Sequence, residues 1–290
     1  MTSDTIELID THSHLYEPEF DADREEAILR ARKAGVGKLL LPSIDAASDE
    51  RLFDLCRRHP GFCLPMMGLH PTSVNGNPAW REELARVERC LLAPPAGIGG
   101  FCAVGEIGLD YYWSDSFVAE QREAFVAQLR LAVRYDLPVA IHTRAAWDDL
   151  CRIIEEETAL ARREGRRLRG VFHAFSEDAA TAGRLSACGD FCFGIGGMVT
   201  FRKSGLADTV RELPLERLVL ETDCPYLTPA PHRGERNESA FVRFVCDKIA
   251  EVKGIAPEIV AAVTTANARR LFLAPIERPS IDVNQRSDKS

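Results

Sequence analysis

Ile9-Asp10-Thr11-His12-Ser13-His14 closes the first apolar run of the chain with two histidines two positions apart. Residues i and i+2 of a strand point to the same face. A strand over Ile6–Asp10 therefore aims both imidazoles at one point. A bare His-x-His is short and also arises by chance at a solvated turn. Its meaning depends on where the other histidines and acids of the chain fall.

Further apolar runs follow at Lys38–Pro42, Phe62–Gly68, Phe101–Gly105, Pro138–His142, Arg169–His173, Asp190–Gly194 and Arg217–Glu221. Counting Ile6–Asp10 there are eight, and their starts are roughly 20 to 40 residues apart, the span of one β-α unit in a barrel of about 250 residues. The intervening segments read as helices. Asp23 with Glu26 resembles a capping box, opening a helix that stops at Gly35. Ser48–Arg58, Pro78–Leu92, Phe117–Tyr135, Ala145–Glu164, Asp178–Ala187 and Phe201–Leu213 follow, then Arg236–Lys253 and Pro257–Leu273 after the last strand. Strands apolar on both faces and alternating with helices imply a parallel sheet. Eight units predict an α/β fold of one domain, a (β/α)8 TIM barrel over residues 1–273, with 274–290 as a polar, flexible tail. An open doubly wound sheet is the competing arrangement. No G-x-G-x-x-G follows the first run, so its dinucleotide-binding version has little support.

Composition narrows the function. A net charge of −8 argues against a broad basic surface for duplex DNA, though not against a small, locally positive site. The nine cysteines are scattered without a C-x-x-C pair, which predicts reduced thiols and a cytoplasmic protein. Met1–Glu7 has neither the basic nor the apolar region of a signal peptide. No apolar run reaches the roughly 20 residues of a membrane span.

In a β/α barrel the active site lies at the C-terminal ends of the strands. Those ends carry His12 and His14, His70, Glu106, His142, His173 and Asp223, so five of the seven histidines fall on one rim. His59, in Arg58-His59-Pro60, reads as a surface or capping residue, and His232 lies in the loop after the eighth strand. Imidazoles and carboxylates in this number can hold two divalent ions. The expected assignment is His12, His14 and Asp223 on one ion, His142 and His173 on the other, and Glu106 between them. Two such ions about 3.5–4 Å apart stabilise the attacking and leaving oxygens of a displacement at phosphorus. Water polarised there ionises near neutral pH, and Asp223 is placed to take its proton. Glu106 and Asp223 are thus the expected catalytic carboxylates. Two divalent ions against two carboxylates leave the pocket positive, so an acidic protein can still attract a phosphodiester.

These residues sit in recognisable motifs: Ile9-Asp10-Thr11-His12-Ser13-His14-Leu15, Gly68-Leu69-His70-Pro71, Gly105-Glu106-Ile107-Gly108-Leu109-Asp110-Tyr111, His173-Ala174-Phe175-Ser176, Leu220-Glu221-Thr222-Asp223-Cys224-Pro225 and Pro231-His232-Arg233-Gly234-Glu235-Arg236-Asn237. From Ile6 to about Phe272 the chain resembles the TatD family of metal-dependent deoxyribonucleases, within the amidohydrolase-like barrels. The resemblance implies a barrel, a divalent-metal centre at His12, His14, Glu106, His142, His173 and Asp223, and hydrolysis of DNA. One departure is visible. Many members place Asp directly after His-x-His-Leu, where this chain has Tyr16 and Glu17. Imidazole-rich ligation favours zinc, manganese, cobalt or iron over magnesium, whereas the family's nucleases are associated with magnesium.

Arg144, Arg233 and Arg236 are candidates to bind phosphate, against surface ion pairs. His70 is a candidate to contact a substrate phosphate or a third ion, against a packed histidine before proline. Tyr111-Tyr112-Trp113 offers aromatic faces for unpaired bases, against loop packing. The basic run Arg162–Arg169 precedes the sixth strand, at the far end from the site, and reads as solvated surface. The leading expectation is a nuclease favouring single-stranded DNA, with 3′ ends entering a narrow mouth. A small-molecule amidohydrolase, lactonase or phosphoesterase of the same barrel superfamily is the alternative. Its carboxylated-lysine version is excluded, because no lysine occurs between Lys38 and Lys203. A non-catalytic metal-binding protein is the third reading.

Overall fold

The computed structural model describes residues 7–273, and strands and helices alternate through them as predicted. The strands are β1 (Leu8–Asp10), β2 (Val36–Leu41), β3 (Cys63–Pro65), β4 (Val104–Asp110), β5 (Val139–Arg144), β6 (Arg169–Phe172), β7 (Asp190–Ile195) and β8 (Leu218–Leu220). The helices are α1 (Arg24–Lys33), α2 (Asp49–Arg58), α3 (Trp80–Leu92), α4 (Val118–Arg134), α5 (Trp147–Arg163), α6 (Ala179–Cys188), α7 (Leu206–Glu212), α8 (Val242–Lys253) and α9 (Pro257–Phe272). The expected tail, residues 274–290, lies outside the described residues.

Every strand pairing is parallel, in the orders β1-β2-β3 and β4-β5-β6-β7-β8. At the two seams, single bridges carry the ring on. Met67 pairs with Val104 between β3 and β4, and Ser13 pairs with Cys224 beyond β8 and β1. The Thr11 amide donates to the Leu220 carbonyl at 3.0 Å, and the Asp223 amide to the His12 carbonyl at 2.9 Å. The fold is the (β/α)8 barrel rather than the open sheet.

Burial on both faces explains the apolar runs. In β2, Leu39 and Leu41 face the helices while Leu40 faces the barrel axis. Each strand or its flank sends one residue to that axis: Ile9, Leu40, Met66, Ala103, Ala140, Val171, Cys192 and Val219. Ala268, Leu271 and Phe272 of α9 pack beneath this layer and close the floor. The polar strand ends are left to the opposite rim.

Of the expected boundaries that the structure moves, three bear on the site. β4 does not stop at Gly105 but continues to Asp110, so Glu106 lies inside a strand. The helix expected from Phe201 begins at Leu206, after a 3-10 turn at Gly197–Thr200. The helix expected from Arg236 begins at Val242, because Arg236 is tied to Asp23 and the Asn237 side chain donates through Nδ2 to the Thr222 carbonyl at 2.8 Å. The Asp23 side chain makes no capping bond; Arg30 and Arg236 occupy it instead. Among the described residues, no helix is long and apolar enough to cross a membrane.

Candidate metal centre

β1 ends at Asp10 and the chain continues extended through His12 and His14, whose Nε2 atoms lie 3.2 Å apart. The seam to β8 positions them. Asp10, fully buried, accepts from the Thr222 amide at 2.9 Å and the Thr222 hydroxyl at 2.6 Å. Burial pushes its carboxyl up to about 7, against the hydrogen bonds from Thr222 and Ser239. This join brings Asp223 beside the two histidines. Asp223 adopts a left-handed backbone, φ 58°, uncommon for any residue but glycine and a conformation that gathers at functional sites.

Glu106 sits on an irregularity. From Val104 to Ile107 β4 takes three steps while its partner β5 takes two, from Val139 to Ile141. The extra residue turns the strand, as bulges beside active sites do. The Glu106 amide donates to the Ser43 carbonyl at 3.0 Å, and its side chain is buried at the mouth of the barrel. Its oxygens divide between two groups of imidazoles. Oε2 lies 3.0 Å from His12 Nε2 and 3.6 Å from His14 Nε2. Oε1 lies 3.1 Å from His142 Nδ1 and 3.6 Å from His70 Nε2.

His173, just after β6, stacks on His12 with ring centroids 3.4 Å apart, and its Nε2 is 3.4 Å from Asp223 Oδ1. Three donor sets therefore form within bonding reach of a cation: His12, His14 and Glu106; His12, His173 and Asp223; His70, Glu106 and His142. All six expected ligands are brought together. Their division differs in detail from the sequence-based assignment, since His173 groups with His12 and Asp223, and His142 groups with His70.

The groups behind the imidazoles decide which nitrogen faces inward. The Tyr16 hydroxyl donates to the Pro42 carbonyl at 2.7 Å, so it accepts from His14 Nδ1 at 2.9 Å. Neutral His14 then presents the Nε2 lone pair to the centre. Asp110 Oδ2 faces His142 Nε2 at 3.0 Å, which leaves Nδ1 as the inward lone pair. Glu221 Oε1 lies 3.1 Å from His173 Nδ1, though out of line for a well-directed hydrogen bond, and also accepts from the Ala174 amide. Such outer partners fix ring orientation and raise ligand basicity. Two glycines admit them. A side chain on Gly108 (φ 149°) would meet the His142 carbonyl at 1.9 Å, and one on Gly194 would meet Glu221 Oε2 at 2.0 Å.

Lone pairs converging in a buried space repel one another unless a cation lies among them. The ionisation preferences agree. Burial opposes charge on Glu106, but His12 and His70 hold its carboxyl well below the usual range. Burial likewise opposes charge on Asp223, and His173 and His14 still bring it down. His142, against burial, is pushed up to about 9 by Asp110 and Glu106. His173 is raised by Glu221 and Asp223, and His14 by Asp223, each also against burial. Burial lowers His12 and His70. A site that draws protons onto three imidazoles and keeps both carboxylates ionised favours positive charge, so these residues fit divalent metal.

His70 differs from the others. The Thr72 amide donates to its Nδ1 at 3.2 Å, so neutral His70 carries its proton on Nε2, the atom facing Glu106. Of the arginines, Arg144 ends β5, exposed, with its guanidinium 3.6 Å from the Tyr112 ring centroid. Arg233 lies exposed over Phe201 at 3.8 Å. Arg236 is committed elsewhere: Nη1 and Nη2 bind the two oxygens of Asp23 at 2.7 and 2.8 Å, and Nη1 also donates to the Glu19 carbonyl at 2.6 Å. Tyr111 turns inward to Asp149, leaving Tyr112 and Trp113 exposed. In the basic run, Arg162 donates to the Cys188 carbonyl, Arg166 to that of Val133 and Arg169 to Asp136. Sequence reasoning quoted Tyr16, Asp110 and Glu221 but gave none of them an orienting role. The available signal was an acid four residues after Glu106 and another two before Asp223.

Comparison with known proteins agrees with this geometry. Residues 9–273 match the family model described as TatD related DNase. The chain is 36% identical over 270 residues to the uncharacterized metal-dependent hydrolase YabD of Bacillus subtilis, covering 91% of this chain and 98% of that one. It is 35% identical over 272 residues to the 3′-5′ ssDNA/RNA exonuclease TatD of Cronobacter sakazakii, covering 92% and 98%. The crystal structure of YJJV, a TatD homolog from Escherichia coli, superposes with a TM-score of 0.82 at 31% identity, covering 92% of this chain and 98% of that one. The barrel, the converging imidazoles and carboxylates, and a match along almost every described residue lead to one conclusion: this chain belongs to the TatD-related DNase family of metal-dependent hydrolases.

Proposed function

We propose that the chain hydrolyses phosphodiester bonds of single-stranded DNA, with 3′ ends favoured, at a centre for two divalent cations. The observation that carries this reading is the division of Glu106, with one oxygen toward His12 and His14 and the other toward His142 and His70. A carboxylate so placed would hold cations on both sides, with His12, His14, His142, His173 and Asp223 as the remaining ligands. Divalent cations bound there would supply Lewis acidity for the attacking water and the phosphoryl group. The imidazole-rich set favours zinc, manganese, cobalt or iron over magnesium.

The chain's own groups do the rest. Asp223, held ionised beside His14 and His173, accepts the proton of the attacking water. His70 donates its Nε2 proton to a phosphate oxygen or to the departing one. Arg144 and Arg233, which pair with no carboxylate among the described residues, supply guanidinium groups for flanking phosphates, whereas Arg236 braces its loop against Asp23. The name of the Cronobacter relative, a single-strand DNA and RNA exonuclease, supports a nucleic-acid substrate. Nine cysteines free of disulfides fit a reducing, cytoplasmic setting.

The test is incubation of metal-reconstituted protein with end-labelled single strands, with and without a chelator. Chelator-sensitive shortening is expected. Intact DNA, together with turnover of a lactone or phosphotriester, would transfer the site to small-molecule hydrolysis.

A further inference from the structure

Three aromatic side chains among the described residues are more than half exposed: Tyr112 at 58%, Trp113 at 67% and Tyr226 at 51%. All three stand on loops leaving the catalytic ends of β4 and β8. Those strands are four places apart in a ring of eight, so the loops face each other across the mouth. Large aromatic surface is normally removed from water, and among the described residues aromatic side chains stand more than half exposed only on these loops.

Tyr112 and Trp113 form a unit with Arg144. The two rings meet edge to face with centroids 5.2 Å apart. The Arg144 guanidinium stacks 3.6 Å from the Tyr112 centroid and 5.4 Å from that of Trp113, and among the described residues it pairs with no carboxylate. The unit is fixed to the metal centre through one side chain. Asp110 Oδ1 accepts from the Tyr112 amide at 3.0 Å and the Trp113 amide at 3.4 Å, while Oδ2 faces His142 Nε2 at 3.0 Å.

We propose that Tyr112, Trp113 and Arg144 form a nucleobase platform for the unpaired base beside the scissile phosphate, with Asp110 as the positioning residue that sets its height above the centre. The inference rests on the DNA reading given above. Every base has a π-face, so such a platform tolerates sequence. In a duplex those faces are already stacked, so the platform selects single strands. Arg144 adds a cation beside the phosphate that follows the base.

The test uses the full-length protein in two arms. In the first, with chelator present to stop hydrolysis, anisotropy of a dye-labelled oligothymidylate measures affinity, with an abasic strand of equal length as control. In the second, metal-loaded protein cleaves the same two strands. Tyr112→Ala and Trp113→Ala are each expected to weaken binding and raise KM about 10- to 100-fold on the natural strand. They should leave kcat unchanged and treat the abasic strand as wild type does. Tyr112→Phe and Trp113→Phe keep a ring and restore binding. Asp110→Asn lowers kcat as well, through His142. Wild-type affinity in both alanine variants, or equal affinity of the wild type for natural and abasic strands, overturns the platform. Ring-dependent binding without any cleavage keeps the platform and removes the nuclease reading, whereas cleavage indifferent to both rings does the reverse.

Discussion

The two ends of the barrel are made by the same eight strands, yet they solve opposite problems. At the floor, Ile9, Leu40, Met66, Val171 and Val219 meet Leu271 and Phe272 of α9 in an apolar plug. At the rim, His12, His14, Glu106 and His173 are almost as deeply buried, but as chargeable groups. The backbone there is strained as well, with Ala145, Ala174 and Asp223 all at positive φ. Burying ionisable groups and holding unusual dihedrals both cost stability. The floor and the outer packing offset that cost, which frees the rim to be arranged for chemistry. In this fold a change at the floor should act on folding, and a change at the rim on turnover.

Four experiments press on that contrast. Glu106→Ala should have the largest effect: hydrolysis falls by well over about 100-fold, beyond what losing an outer partner of a metal ligand costs, and metal content falls with it. Circular dichroism should still show the folded barrel; an unfolded variant would mean that the rim carries the fold. Next comes Phe272→Ala, the mirror case, expected to lower stability by about 3–5 kcal/mol in urea titration. Its kcat, assayed well below the unfolding transition, should match wild type, and a proportionate loss of kcat would show that the two ends are not independent. Tyr16→Phe sharpens the contrast within the rim. It removes only the oxygen that orients His14, so metal affinity should drop about 10- to 100-fold with little change in melting temperature. The smallest effect is a graded one. His142 holds its proton up to about 9, and His14 and His173 are also raised. Metal must displace those protons, so apparent affinity should fall as pH drops below about 9, roughly tenfold per unit for each proton displaced. Calorimetry in two buffers of different ionisation enthalpy measures the release. A pH-independent affinity would show that the imidazoles are already neutral.

The sequence made the rim legible because each ligand follows an apolar run, and a run buried on both faces can only be a strand of a covered parallel sheet. His12, His142, His173 and Asp223 were placed by that logic alone. Glu106 was placed correctly on the rim but outside its strand, since nothing in Phe101–Gly105 announces that the strand bulges and resumes to Asp110. The orienting groups were not legible, because a hydrogen bond such as Tyr16 to Pro42 depends on two loops meeting in space. Arg236 shows the same limit from the other side. Its motif points to phosphate, but its partner, Asp23, lies 213 residues away in sequence, and no local pattern reports that pairing. Grouping His142 with His70 rather than His173 likewise follows from how side chains lean across the mouth, which strand order does not fix.

The seam between β1 and β8 has a consequence for how the molecule is born. Asp10 grips Thr222 across 212 residues of chain, and α9 seals the floor only after both strands exist. A nascent polypeptide still threaded through the ribosome therefore owns the His-x-His pair long before it owns Asp223 or the helix beneath it. The rim ligands therefore come together only once the stretch carrying Asp223 and α9 has emerged, so the centre is assembled late in synthesis.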